Sequence, residues 1–311
     1  MSPKNNHDKL ETSLLKVHRL INKGSGSEDK GGAVFYGYSS GQNINWVYGV
    51  WKAMCCRSGP LSKAQAKQFI NICMEHDVYD FDTAYGYSGG KSEEIMGDMD
   101  CLKDSKVFIA TKANPWGKGL VFDSVLEQLN ESLKRLKRDS VDLFYLHAPE
   151  HTTPIEETLD AVNQLYEEGK FESFGLSNYS SWQVAEIYYL CKMNNYPVPT
   201  VYQGMYNPVT SYVNRFWKKP LFDLLDKLRG TLDRIYGEGK VTLIDASLRW
   251  MYHHSKLDGA CGDAVIIGAS SVKHLEENLK STKHGPLHED VVELFEETWG
   301  ILQGDCPLYF R

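Results

Sequence analysis

VDLFYLHAPEHTTPIEETLDAVNQLYEEGKFESFGLSNYSSWQVAEI (141–187) holds two rounds of one pattern. An apolar run of strand length, VDLFYL (141–146), ends on His147. Thr153, Pro154 and Glu156 then open a helix whose Leu159, Val162 and Leu165 share one face, with Gly169 at its end. A second run, FESFGL (171–176), ends on Ser177 and Asn178. Ser180 and Gln183 open the next helix, with Val184, Ile187 and Tyr188 facing inward. Strands covered on both faces read as unbroken apolar runs rather than as polar–apolar alternation. Strands that alternate with helices in this way build a parallel sheet.

The pattern continues on both sides. VYDF (78–81), KVFIAT (106–111), TVYQG (200–204) and DAVIIG (263–268) predict further strands, and NWVYGVWKAM (45–54) a first one. Ser124 and Glu127 predict a capping box for a helix with Val125, Leu126, Leu129, Leu133 and Leu136 on one face. Later helices are predicted near 214–228, 241–254, 271–280 and 287–302. Residues 1–46 differ in character. They hold a short amphipathic stretch (Leu10, Leu14, Leu15, Val17, Ile21) and GSGSEDKGG (24–32), a flexible linker by composition. The expected organisation is an atypical, partly flexible extension (1–46) and one catalytic domain (47–311).

An open doubly wound sheet and a closed barrel both satisfy the alternation. No G-x-G-x-x-G follows any strand, so the dinucleotide fingerprint of the open sheet is missing. Polar residues instead mark successive strand ends: Asp82, Lys112, His147, Ser177 with Asn178, and Gln203. In a closed barrel these ends meet at one mouth, where chemistry is found. The expected fold is therefore α/β, a barrel of the (β/α)8 TIM type.

Composition narrows the function. A formal net charge of −7 is the wrong sign for nucleic acid. No apolar run approaches the ~20 residues of a membrane span. The seven cysteines include no C-x-x-C pair, so a structural zinc site is not expected. No signal peptide is read at the start, and free thiols fit a reducing, cytoplasmic setting. Taken singly, each polar strand end has a plain structural reading. Asp82 could cap a turn, Lys112 could lie on the surface, His147 could be a satisfied core histidine, and Ser177-Asn178 could be an ordinary turn. Their succession on five strands favours a site.

DTAYGY (82–87), ATK (110–112), VDLFYLHAP (141–149), GLSNY (175–179) and YQGMYN (202–207) resemble motifs of the aldo-keto reductase superfamily. The resemblance is closest to its aflatoxin B1 aldehyde reductase branch, through ATKANPW (110–116), EEGKFESFGLSNYSSWQVAEI (167–187), LRWMYHHS (248–255) and CPLYFR (306–311). It implies NADPH-dependent reduction of small-molecule aldehydes and ketones, of the aflatoxin-aldehyde or succinic-semialdehyde reductase type. It also implies a catalytic tetrad of Asp82, Tyr87, Lys112 and His147, with Tyr87 as general acid. Lys112 is expected to lower the phenol pKa from its ordinary ~10. Ser177, Asn178 and Gln203 would hold the nicotinamide carboxamide. Ser270, Ser271, His274, Glu277 and Asn278, in GASSVKHLEEN (268–278), would hold the adenosine end. No metal and no membrane partner is implied, and a homodimer is compatible.

The resemblance breaks after Asn207. Relatives have a helix, a seventh strand and a phosphate-covering loop before the segment that resembles NRFWKKPLFD (214–223). Here only PVTSYV (208–213) intervenes. A crossover needs ~10–12 residues with its helix, so an incomplete barrel is expected, lacking strand seven and the preceding helix. That motivates an alternative reading, a catalytically impaired homologue that binds cofactor or a partner. A chain too damaged to fold stably is a third.

Overall fold

A computed structural model describes residues 46–48, 62–204, 219–269 and 271–302. The chain divides into two compact units. Among the described residues, the first joins those up to 204 with 258–268; the second takes 219–257, 269 and 271–302.

The first unit is built on an all-parallel sheet of β1 (Trp46–Tyr48), β2 (Asp80–Asp82), β3 (Phe108–Ala113), β4 (Val141–Leu146), β5 (Phe171–Ser177), β6 (Pro199–Gln203) and β7 (Val265–Ile267). Each predicted strand is present. Their order is β6-β5-β4-β3-β2-β1-β7. Sequential neighbours pair, and β7 returns to pair with β1 in parallel, as the last strand of a barrel must. Among the described residues β6 and β7 are the two edges of the sheet. The sheet is curled: Ala110 and Leu143, Tyr145, Val201 and Ala264 share one buried cluster, so side chains from β3, β4, β6 and the approach to β7 meet inside it. This is an α/β fold of the TIM-barrel type.

Helices α1 (Lys63–Glu75), α2 (Lys91–Gly97), α3 (Phe122–Leu136), α4 (Ile155–Glu167) and α5 (Ser181–Asn194) belong to this unit. In α3 the predicted Val125, Leu129, Leu133 and Leu136 are buried, and Leu126 is half-buried. The Ser124–Glu127 capping box is not formed. The helix starts three residues earlier, with Val121 as its N-cap, and Ser124 Oγ donates to the Gly119 carbonyl at 3.0 Å while accepting from Gln128. In α5 the Ser180–Gln183 capping box is present. There Ile187 and Cys191 are the buried residues, whereas Val184 and Tyr188 are half-buried.

The second unit contains α6 (Lys219–Tyr236), α7 (Leu243–His253), α8 (Val272–Ser281) and α9 (Glu289–Leu302). The first of these runs eight residues beyond the predicted end at 228. Arg249 of α7 donates to the carbonyls of Gly285 and Pro286, both at 2.7 Å, and so fixes the α8–α9 connection. No helix of the described residues is long and apolar enough to cross a membrane. The extension before Trp46 and the PVTSYV junction lie outside the described residues.

Candidate active site

Strand β2 ends on Asp82, and β3 carries Lys112 one residue before its end. The parallel register pairs Asp82 with Ala110, two residues before Lys112, and the lysine side chain reaches back to the carboxylate. Lys112 Nζ donates to Asp82 Oδ2 at 2.5 Å and to the Thr83 carbonyl at 2.7 Å. Both side chains are buried, Lys112 completely. A lone ammonium in that position would be costly, and the carboxylate offsets the cost. Burial pushes the Asp82 carboxyl up and the Lys112 ammonium down; their contact works against both shifts.

The ammonium lies 5.1 Å from the centroid of the Tyr87 ring and 5.5 Å from that of Tyr145. It is thus held against two aromatic rings. Tyr87 opens a short 3-10 turn (Tyr87–Gly90), in which Ser88, Gly89 and Gly90 all have positive φ. His147 follows β4. Its Nε2 is 3.4 Å from the Tyr87 hydroxyl, and the rings meet edge to face with centroids 5.3 Å apart. All four members of the predicted tetrad therefore converge.

One electrostatic expectation fails. Burial, with the Asp82 carboxylate adding to it, pushes the Tyr87 phenol above its ordinary range. The larger cause is the burial of the phenol itself.

The predicted carboxamide-binding residues join the cluster. Asn178, with φ +63, donates from Nδ2 to the His147 carbonyl at 2.8 Å and to Ser177 Oγ at 2.9 Å. Gln203 Nε2 donates to Asp82 Oδ1 at 3.2 Å. In each amide the nitrogen donates to the protein, which leaves the carbonyl oxygen as the acceptor for a ligand. Ser177 Oγ accepts from Asn178 and keeps its own proton to give. Two acceptors and one donor match the N–H2 and C=O of a carboxamide, so the residues fit a nicotinamide.

Of the predicted adenosine-end residues, Ser270 lies outside the described residues. Ser271, His274, Glu277 and Asn278 belong to the second unit. Ser271 caps α8, its Oγ accepting from the His274 amide at 3.2 Å. Glu277 pairs with Lys273 at 3.7 Å on the solvent side, and Asn278 is buried.

Sequence reasoning missed Trp116. Its ring lies edge to face on His147, centroids 5.2 Å apart, and the residue is 50 % exposed. The signal available in the sequence was its place in ATKANPW (110–116), four residues beyond Lys112.

The family model described as the Aldo/keto reductase family matches residues 47–230 and 217–299. The aflatoxin B1 aldehyde reductase member 2 of Rattus norvegicus is 44% identical over 300 residues, covering 78% of this chain and 82% of that protein. The protein of the same name from Homo sapiens is 43% identical over 310 residues, covering 81% and 85%. Among solved structures, an aldo/keto reductase from Klebsiella pneumoniae, crystallised with NADP and acetate, superposes with a TM-score of 0.65 at 18% identity. It covers 90% of this chain and 97% of that one, a likeness of fold.

Proposed function

The chain belongs to the aldo/keto reductase family, an oxidoreductase family, and from that premise we propose that it reduces aldehydes and ketones to alcohols with NADPH. The observation that carries the reading is the contact of Tyr87 with His147 beside a fully buried Lys112–Asp82 pair. That is a proton donor, an orienting donor and a buried charge on three strand ends.

Bound NADPH would supply the hydride to the carbonyl carbon. Ser177, Asn178 and Gln203 would hold its carboxamide, and Ser270, Ser271, His274, Glu277 and Asn278 its adenosine end. His147 orients the carbonyl oxygen toward Tyr87 by a hydrogen bond. Tyr87 keeps its proton throughout the neutral range, because burial raises its pKa. It releases that proton only to an oxygen more basic than itself, such as the alkoxide that forms as hydride arrives. Lys112 stabilises the negative charge left on the phenolate, and Asp82 keeps the lysine charged and in place. Trp116 offers an exposed aromatic face beside His147. The rat and human relatives are named for an aflatoxin B1 aldehyde, which makes aflatoxin-type aldehydes the first candidates; the resemblance of the motifs adds short semialdehydes. The test is to incubate the protein with NADPH and such an aldehyde and look for the alcohol. Its absence, with the aldehyde unconsumed, would overturn the reading.

A second reading, a homologue that binds cofactor or a partner with little turnover, has its own support. Only six residues separate Asn207 from the segment that resumes the resemblance. The 300-position alignment to the rat protein uses 78% of this 311-residue chain and so contains gaps on its side. Both favour an internal deletion that removes a strand between β6 and β7.

A further inference from the structure

Under the Tyr87 turn lies a second buried polar cluster. Glu93, on α2, has no exposed surface. Its Oε1 accepts from Thr111 Oγ1 at 2.6 Å, and its Oε2 from Arg135 Nη1 at 3.2 Å; Ser132 donates to it as well. The same Arg135 nitrogen donates to the Tyr85 carbonyl at 3.2 Å, and the guanidinium lies 4.6 Å from the Tyr85 ring centroid. Gly90 ends the Tyr87 turn at φ +91. A Cβ there would lie 2.6 Å from the guanidinium carbon, so the turn can close onto Arg135 only with glycine in that place.

One carboxylate therefore ties three elements together: α2, which follows the Tyr87 turn; β3, one residue before Lys112; and α3. A parallel tie runs from Ser92 to Thr83, whose hydroxyls are 2.8 Å apart. Thr83 is the residue whose carbonyl receives Lys112.

We propose that Glu93 is a positioning residue of the reductase site, which fixes the Tyr87 turn against Lys112 through Thr111 and Arg135. The proposal rests on the reductase reading for its role in turnover, and on geometry alone for its role in placement. Stability is a poor reason for this arrangement. A buried ion pair loses to desolvation most of what it gains by attraction, and apolar replacements of equal volume are often as stable. Burial indeed pushes the Glu93 carboxyl up, and Thr111, Ser132 and Arg135 draw it back. What apolar residues cannot do is hold the turn in one register through directed hydrogen bonds. The Glu93 charge also supports the ammonium of Lys112.

The experiment uses protein labelled with ring-13C tyrosine, its Tyr87 signal assigned by Tyr87→Phe. Two variants are compared with the wild type: Glu93→Gln, and Glu93→Gln combined with Arg135→Met. The double variant leaves no lone buried charge and so remains folded if the single one does not. In both, the Tyr87 signal is expected to move and broaden, and kcat to fall roughly 10- to 100-fold with NADPH affinity kept. In the double variant the melting temperature returns towards wild type without restoring either readout. A double variant with wild-type melting, Tyr87 signal and kcat would overturn the proposal and leave the pair a structural element. If the wild type itself shows no turnover, the reductase reading fails, and the Tyr87 signal alone decides on Glu93.

Discussion

Gln203 Nε2 donates to Asp82 Oδ1 across 3.2 Å, although three strands lie between β6 and β2 in the sheet. Strand spacing would put them ~19 Å apart in a flat sheet. The bond exists because the sheet curls, and it joins a residue that would hold cofactor to one that holds the catalytic lysine. Gln203→Leu removes the donor to Asp82 and an acceptor for the carboxamide. Loss of about 1–1.5 kcal/mol per hydrogen bond predicts NADPH binding weaker by about tenfold, read by fluorescence titration. Unchanged affinity would detach Gln203 from the cofactor.

Gly175 lies beneath Tyr145, one of the two rings against Lys112. A Cβ at Gly175 would lie 2.4 Å from two carbons of the Tyr145 ring, which is fully buried on an interior strand of the sheet. Gly175→Ala is expected to cost about 1–3 kcal/mol of stability and to lower kcat by shifting the ring beside the ammonium. Tyr145→Leu in the same chain should recover much of the stability, as a thermal melt would show. A Gly175→Ala protein with wild-type melting and kcat would contradict this close approach.

Asp80 begins β2, two residues from Asp82. Burial, with the Asp142 carboxylate second, raises its pKa from 3.8 to about 6. The folded state thus binds this proton more tightly than the unfolded one. The stabilisation is complete below about pH 4 and is lost as pH rises through 6. Asp80→Asn should therefore raise the melting temperature at pH 7.5, where the wild-type carboxylate is charged, and change it little at pH 4. An equal shift at both values would contradict the assigned direction.

The strands were legible because buried parallel strands are short, apolar and bounded by polar residues, as VDLFYL (141–146) before His147 shows. Asp82, Lys112 and His147 were legible because they stand at the ends of three successive strands; Tyr87, in the turn after β2, came only from the resemblance of DTAYGY (82–87). Ser124 misled because Ser-x-x-Glu is a capping pattern only when the residue before the helix is that serine; here Val121 holds the place and Ser124 turns back to Gly119. The Tyr87 pKa was misjudged because a sequence does not show that the phenol will be buried, with the Asp82 carboxylate nearby. Nothing in the sequence singled out Glu93 and Arg135, since only the fold brings α2 and α3 together under the Tyr87 turn.

The internal deletion proposed after Asn207 predicts a measurable deficit. β6 and β7 are sheet edges among the described residues, and unpaired edges and exposed apolar side chains lower stability. Beside the rat or human relative, this protein should melt at lower temperature and bind NADPH more weakly. Equal melting and equal affinity would show the missing segment to be dispensable.

The central claim is that Tyr87 delivers the proton in an NADPH-driven reduction. The direct test compares wild type and Tyr87→Phe for NADPH binding, by quenching of tryptophan fluorescence, and for NADPH oxidation with an aromatic aldehyde. The prediction is equal binding and a near-complete loss of turnover in the variant. A Tyr87→Phe protein that reduces the aldehyde at the wild-type rate would contradict it.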